Sequence, residues 1–192
     1  MGRMWSLAFA SDVKAAFDHY FKNGDLRRFQ AADSAEARGH FYMARHNLRL
    51  MNAIDKFNSQ KPQGWEASPD WTITTGYYSM YQAALGLLSL RGYTSKDHDA
   101  TIYALAHLYT QPVGGKILPR QALELLSDGK ERYLALDDVK KLADAKGKRS
   151  KSSYGYTLSG LEADAKFFIE QAEPFVNLTL EIAGAEGYEF FG

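Results

Sequence analysis

The sequence predicts an all-α fold, an up-and-down bundle of about five helices. Apolar residues recur at spacings of three and four in several segments, and no segment shows the apolar and polar alternation of a half-buried strand. One helical segment is apolar on nearly every face, which is typical of a helix at the centre of a bundle. The chain of 192 residues is long enough for one such domain with its own core.

The composition excludes several classes of function. Hydrophobic residues make up 45% of the chain, which excludes a disordered protein, and the net charge of zero gives no overall attraction to nucleic acid. Cysteine is absent, so disulfides, thiolate metal sites and cysteine nucleophiles are excluded. Because no apolar run approaches a signal peptide or the roughly 20 residues of a membrane span, we expect a soluble, cytoplasmic protein.

The first helices are predicted from their apolar rows. A helical extension over residues 1–23 precedes the core, and its apolar side comprises Val13, Phe17, Tyr20 and Phe21. The first core helix is expected to have Asp33 or Ser34 as its cap and to run to about Phe57, and it directs inward Ala37, Phe41, Ala44, Leu48 and Met51. We expect one domain, 1–192, whose core covers residues 24–183.

The central helix is the segment that is apolar on all sides. It is expected to start at Pro69 with Ser68 as its cap, and Gly92 suits the left-handed residue after its end. The next helix is expected to begin with Ser95 as its cap, which places His98 in the first turn.

Two further helices are predicted after residue 115. One begins near Pro119, has a candidate break at residues 128–129 and runs to about residue 146. The last opens with a capping box formed by Ser159 and Glu162, and Pro174 is expected to kink it. A frayed acidic tail is expected over 184–192.

Arg91 and His98 are the candidate catalytic residues. Helical spacing directs both side chains toward the cleft between the central helix and the next one. A permanently charged guanidinium and an imidazole that titrates near neutral pH suit phosphodiester chemistry, and RNA supplies its own 2′-hydroxyl nucleophile, so no metal or other cofactor is required. Each residue also has an ordinary structural interpretation as a helix-end group. The cleft would be lined by Tyr77, Tyr78, Tyr81 and Ser95.

The most basic stretch of the chain lies between the last two helices, over residues 140–151. It predicts a loop that binds RNA phosphates, with the candidate residues Lys146, Lys148, Arg149 and Lys151. The alternative is an ordinary solvated loop.

Four segments together resemble the HEPN family of prokaryotic helical-bundle proteins, particularly its small stand-alone members. They are "ARHNLRLMNAI", "DWTITTGYYSMYQAALGLLSLRGYTSKDH", "KRSKSSYGYT" and "EADAKFFIEQAEPFV". The resemblance covers roughly residues 24–183.

This resemblance implies a homodimeric bundle and, in many members, a metal-independent endoribonuclease built on an arginine, four to six residues and a histidine. That motif maps to Arg91 and His98. Catalytic members act as toxins of toxin–antitoxin pairs, with a small nucleotidyltransferase as the partner. The chain departs from the family pattern in Gly92, where a polar residue often follows the arginine, and in Ala100, where some members carry a tyrosine.

Three functions remain open from the sequence. The first is an RNA-cleaving HEPN toxin that uses Arg91 and His98. The second is a non-catalytic subunit that docks a nucleotidyltransferase or binds nucleotide, and the third is a scaffold bundle.

Overall fold

The computed structural model of the chain describes residues 10–29, 34–63, 67–110, 116–145 and 158–189. The described residues form six helices and two short strands: α1 (Ala10–Asn23), β1 (Leu26–Arg28), α2 (Ser34–Gln60), α3 (Pro69–Leu90), β2 (Tyr93–Ser95), α4 (His98–Tyr109), α5 (Arg120–Ala145) and α6 (Leu158–Ala185). The predicted all-α helical bundle is therefore confirmed, with six helices in place of about five.

Helix α3 lies at the centre of the bundle, as its apolar composition predicts. It packs against α2, α4, α5 and α6, and most of its residues are buried, although Trp71 in the first turn is exposed. Pro69 occupies the first turn as expected, whereas the Ser68 side chain makes no capping hydrogen bond. Ser68 therefore holds the predicted N-cap position without contributing a side-chain bond, and Gly92 has the expected positive φ of 76° after the helix end.

Two glycines allow the neighbouring helices to approach α3 closely. A Cβ atom on Gly76 would lie 2.5 Å from the Cβ of Phe168 on α6. A Cβ atom on Gly86 would lie 2.8 Å from the ring of Phe41 on α2. Both contacts are far shorter than a normal van der Waals contact, so α3 presents bare backbone to α2 and α6 at these points.

The inward row predicted for α2 is confirmed, and α6 contributes a second buried row. On α2, all five residues of the row are buried, namely Ala37, Phe41, Ala44, Leu48 and Met51. On α6, the buried positions include Ala165, Phe168, Ala172, Phe175 and Ile182. These two helices supply most of the apolar surface that covers α3.

A two-stranded antiparallel ribbon was not expected from the sequence. Strand β1 pairs with β2 in the register Leu26 with Ser95 and Arg28 with Tyr93. Each strand has only three residues, which is too short for the period-two alternation that reveals strands. The ribbon makes the segment between α3 and α4 an extended strand, and it connects α1 to this segment.

Several predicted helix boundaries need correction. Helix α4 starts at His98 with Asp97 as its cap, because the Asp97 carboxylate accepts a hydrogen bond of 2.8 Å from the backbone N–H of Ala100. Helix α5 continues without a break through Gly129, which lies against the Phe168 ring. Helix α6 already includes Ser159, so this serine is not its cap.

The N-terminal helix and the C-terminal tail both belong to the bundle. Helix α1 packs against α4 and β1, with Phe17 buried and Phe21 exposed. Helix α6 runs through Pro174 without interruption and continues to Ala185. Beyond it, Tyr188 packs with its ring centroid 5.5 Å from that of Phe41, so the predicted fraying is wrong as far as Tyr188, and residues 190–192 lie outside the described residues.

Candidate functional site

His98 lies in the first turn of α4 and faces the middle of α3. Its Nδ1 atom is hydrogen-bonded to the hydroxyl of Tyr77. Its ring centroid lies 4.4 Å from that of Tyr81 and 5.5 Å from that of Tyr77. The predicted inward orientation of His98 is therefore confirmed, and the hydrogen bond fixes the orientation of the imidazole.

Two tyrosines contact this histidine, Tyr77 and Tyr81, and they belong to a group of four that we call the tyrosine cluster, Tyr77, Tyr78, Tyr81 and Tyr133. The rings of Tyr77 and Tyr133 stack with centroids 4.7 Å apart, and the hydroxyls of Tyr78 and Tyr133 lie 3.2 Å apart. The hydroxyl of Thr101 on α4 donates to the Tyr81 oxygen at 3.5 Å. The cluster therefore joins α3, α4 and α5.

Burial shifts the pKa values of His98 and Tyr77 toward their neutral forms. It lowers the pKa of His98 below its usual value, an effect to which the charge of Lys130 adds and which Asp97 and Asp99 oppose. Burial also raises the pKa of Tyr77. A lowered pKa favours the neutral imidazole, which is the form that a general base requires and also the form that serves as a structural hydrogen-bond partner.

Lys130 is a buried cation near His98 that the sequence analysis missed. Only 4% of the residue is exposed, and its Nζ donates to Asp99 at 2.7 Å and pairs with Glu131 at 3.0 Å. Burial opposes its charge, but the hydrogen bonds to these carboxylates raise its pKa overall. A sequence signal existed, because Lys130 continues the helical row of Leu123 and Ser127 and therefore points inward.

Arg91 lies at the C-terminal end of α3 in a different environment. Its Nε pairs with Glu186 at 2.5 Å, and its guanidinium carbon lies 5.2 Å from the ring centroid of Tyr109. The Tyr109 hydroxyl donates to Glu186 at 2.9 Å and to the carbonyl of Leu87 at 2.6 Å. We call Arg91, Tyr109 and Glu186 the C-terminal clasp, because they hold the end of α6 against α3 and α4.

The predicted convergence of Arg91 and His98 on one cleft is wrong for a single chain. His98 begins α4, whereas Tyr109, which contacts Arg91, ends it. Eleven helical steps separate these two residues, or about 16 Å along the axis. The two residues are separated because β2 is extended and returns the chain to the middle of α3 before α4 starts.

The remaining predicted site residues are divided in the same way. Tyr77, Tyr78 and Tyr81 lie with His98 and away from Arg91. Ser95 does not line a cleft: it is a buried residue of β2 whose hydroxyl donates to the Asp97 carbonyl at 2.8 Å. The predicted RNA-binding residues lie outside the described residues, namely Lys146, Lys148, Arg149 and Lys151.

The structure is therefore an all-α bundle in which His98 and the tyrosine cluster lie beside the middle of α3, and the C-terminal clasp lies at the C-terminal end of α3. Comparison with family models, with curated proteins and with solved structures found no match to the chain. Within the described ranges, no three His, Asp or Glu side chains are placed so that they could hold a metal ion. None of the helices in those ranges is long and apolar enough to cross a membrane.

Proposed function

We propose that the protein is a non-catalytic helical binding subunit of the HEPN type that docks a partner protein. The observation that carries this proposal is the separation of Arg91 from His98. Catalysis by the pair requires the guanidinium and the imidazole on one phosphate, but Arg91 pairs with Glu186 at one end of α4 while His98 bonds Tyr77 at the other.

Arg91 and His98 both have partners within the chain, and these contacts give each residue a structural role in a protein that only binds. Arg91 and Glu186 neutralise each other beside Tyr109, which attaches the C-terminal tail to the bundle. His98 satisfies the buried hydroxyl of Tyr77, which would otherwise lose its hydrogen bond. Nucleotide binding through a shared Arg91 and His98 cleft loses its support for the same reason, so docking of a protein, such as a small nucleotidyltransferase, is the binding role that we retain.

One observation favours a second candidate, a metal-independent endoribonuclease acting as a HEPN toxin. Burial lowers the pKa of His98, which favours its neutral form, and Tyr77 holds its ring, as the ring of a general base would be held. This candidate needs a cation other than Arg91 of the same chain to stabilise the phosphate charge. An arginine from a second subunit of a homodimer would be one source.

RNA cleavage in EDTA separates the two candidates. Wild type, His98→Ala and Arg91→Ala are incubated with a labelled single-stranded RNA, with Lys96→Ala as a control at an exposed residue of the same connection. We expect no cleavage that depends on His98, because the pair is not assembled. The binding proposal fails if wild type and Lys96→Ala cleave RNA and His98→Ala is slower by about 100-fold, the usual loss of a general acid or base.

A further inference from the structure

Helix α2 carries a second apolar row on the side opposite to its core row. Met43, Leu50 and Phe57 recur every seven residues, and 42%, 42% and 48% of their surfaces are exposed. At about 100° per residue these three lie within about 40° of one another on the helix. We call them the outer stripe.

The outer stripe has the pattern of a coiled-coil seam. With the stripe at heptad position a, position d is filled by Gly39, His46 and Ala53, all of them exposed or half-buried. A Cβ built on Gly39 would meet no atom within 4 Å, so this side of α2 is open within the described chain. The face is therefore shaped for a helix that packs along α2.

A row of cations follows one edge of the outer stripe. Arg49 and Lys56 occupy heptad position g, and Arg38 and Arg45 lie next to them at position c. All four are exposed, and no ion pair is found in the described part of the chain for Arg45, Arg49 or Lys56. The opposite edge, position e, has no lysine, arginine or carboxylate, because it consists of His40, Asn47 and Ile54.

From this arrangement we infer that the outer face of α2 is a docking surface for an acidic amphipathic helix of a partner protein. The inference rests on the proposed binding function and adds the chemistry of the partner. Apolar residues of that helix would cover Met43, Leu50 and Phe57, and its Glu or Asp residues would face Arg49 and Lys56. The charge pattern selects the partner, while the stripe supplies the apolar contact area.

A second copy of the chain fits this face less well. In an antiparallel two-fold pair, the same edges of the two helices meet, so Arg49 and Lys56 would face the cations of the other copy. In a parallel pair, the cations would face Asn47 and Ile54, which carry no charge. A nucleic acid would bind the cations through its phosphates but would leave the apolar outer stripe exposed to water.

The test uses a synthetic four-heptad helical peptide as a probe, with Leu at positions a and d and Glu at e and g. Glu at both edges keeps the peptide from pairing with itself. Binding to the full chain is followed by fluorescence anisotropy, and a peptide with Lys at e and g serves as the matched control. We expect micromolar binding of the Glu peptide and at least tenfold weaker binding of the Lys peptide.

Variants locate the binding surface. Leu50→Glu and Arg49→Glu are each expected to weaken binding of the Glu peptide at least tenfold. Ile117→Glu, at a residue 45% exposed elsewhere, and Lys96→Glu are expected to leave it unchanged. All four substitutions are at solvent-exposed or partly exposed positions, so circular dichroism of each variant is expected to match wild type.

Three results would overturn the inference. The first is no binding of the Glu peptide, or binding that Leu50→Glu leaves intact. The second is a wild-type dimer in sedimentation equilibrium that Leu50→Glu dissociates, which would assign the face to a second copy. The third is binding of single-stranded RNA that Arg49→Glu abolishes and Leu50→Glu does not. RNA cleavage that depends on His98 would refute the binding function instead, so the two failures are distinguishable.

Discussion

Gly76→Ala is expected to lower the free energy of unfolding by about 3 kcal/mol, the upper end for an overpacked core. The new methyl group would lie 2.5 Å from the Cβ of Phe168 and 2.9 Å from the sulfur of Met51. The Met51 side chain can move, but the Cβ of Phe168 is attached directly to the backbone of α6. Helix α6 must therefore shift away from α3, which loosens the centre of the bundle. Urea unfolding followed by circular dichroism measures the change.

Gly39→Ala is the matched control for this substitution. Gly39 lies on the exposed side of α2, where a Cβ atom meets nothing within 4 Å. Alanine has the higher helix propensity, so the control is expected to raise the free energy of unfolding by about 0.5 kcal/mol. If Gly76→Ala costs no more than an exposed substitution, the close contact between α3 and α6 is wrong.

His98→Ala is expected to lower the free energy of unfolding by about 2 kcal/mol. The substitution removes ring contacts with Tyr77 and Tyr81 and leaves the buried Tyr77 hydroxyl without its partner. Tyr77→Phe removes the same hydrogen bond from the other side. The double variant should lose about 1 kcal/mol less free energy of unfolding than the sum of the two single variants, because both substitutions break the same hydrogen bond.

Tyr42→Phe provides the control, since Tyr42 is 62% exposed and loss of its hydroxyl is expected to change stability by less than about 0.5 kcal/mol. Strictly additive effects of His98→Ala and Tyr77→Phe would show that the hydrogen bond contributes nothing to stability. His98 would then be available for another role, which would favour the ribonuclease candidate.

Periodicity in the sequence was sufficient to predict the bundle. The row from Ala37 to Met51 on α2 and the all-round apolar character of α3 follow from local spacing, and both are confirmed. Gly129 was read as a candidate helix break because glycine lowers helix propensity, but packing against Phe168 outweighs that preference. The ribbon could not be predicted, since three residues per strand give no period.

The candidate site required contacts that are distant in sequence. Helical spacing correctly placed His98 on the inward face of α4. The partner of Arg91 is Glu186, nearly a hundred positions later in a tail that was expected to fray, and no local pattern connects them. Helical spacing also does not show which path the chain takes between two helices. The extended β2 that separates Arg91 from His98 could therefore not be predicted.

The proposed binding function depends on Arg91 and His98 belonging to two separate clusters, and a pair of double-mutant cycles tests this most directly. Urea unfolding of Arg91→Ala, His98→Ala and the double variant should give additive changes, with a coupling within about 0.3 kcal/mol of zero. The cycle of Arg91→Ala with Glu186→Ala should give a coupling of about 1 kcal/mol, because these groups form an ion pair. A coupling above about 1 kcal/mol between Arg91 and His98 would contradict the separation and restore a shared site.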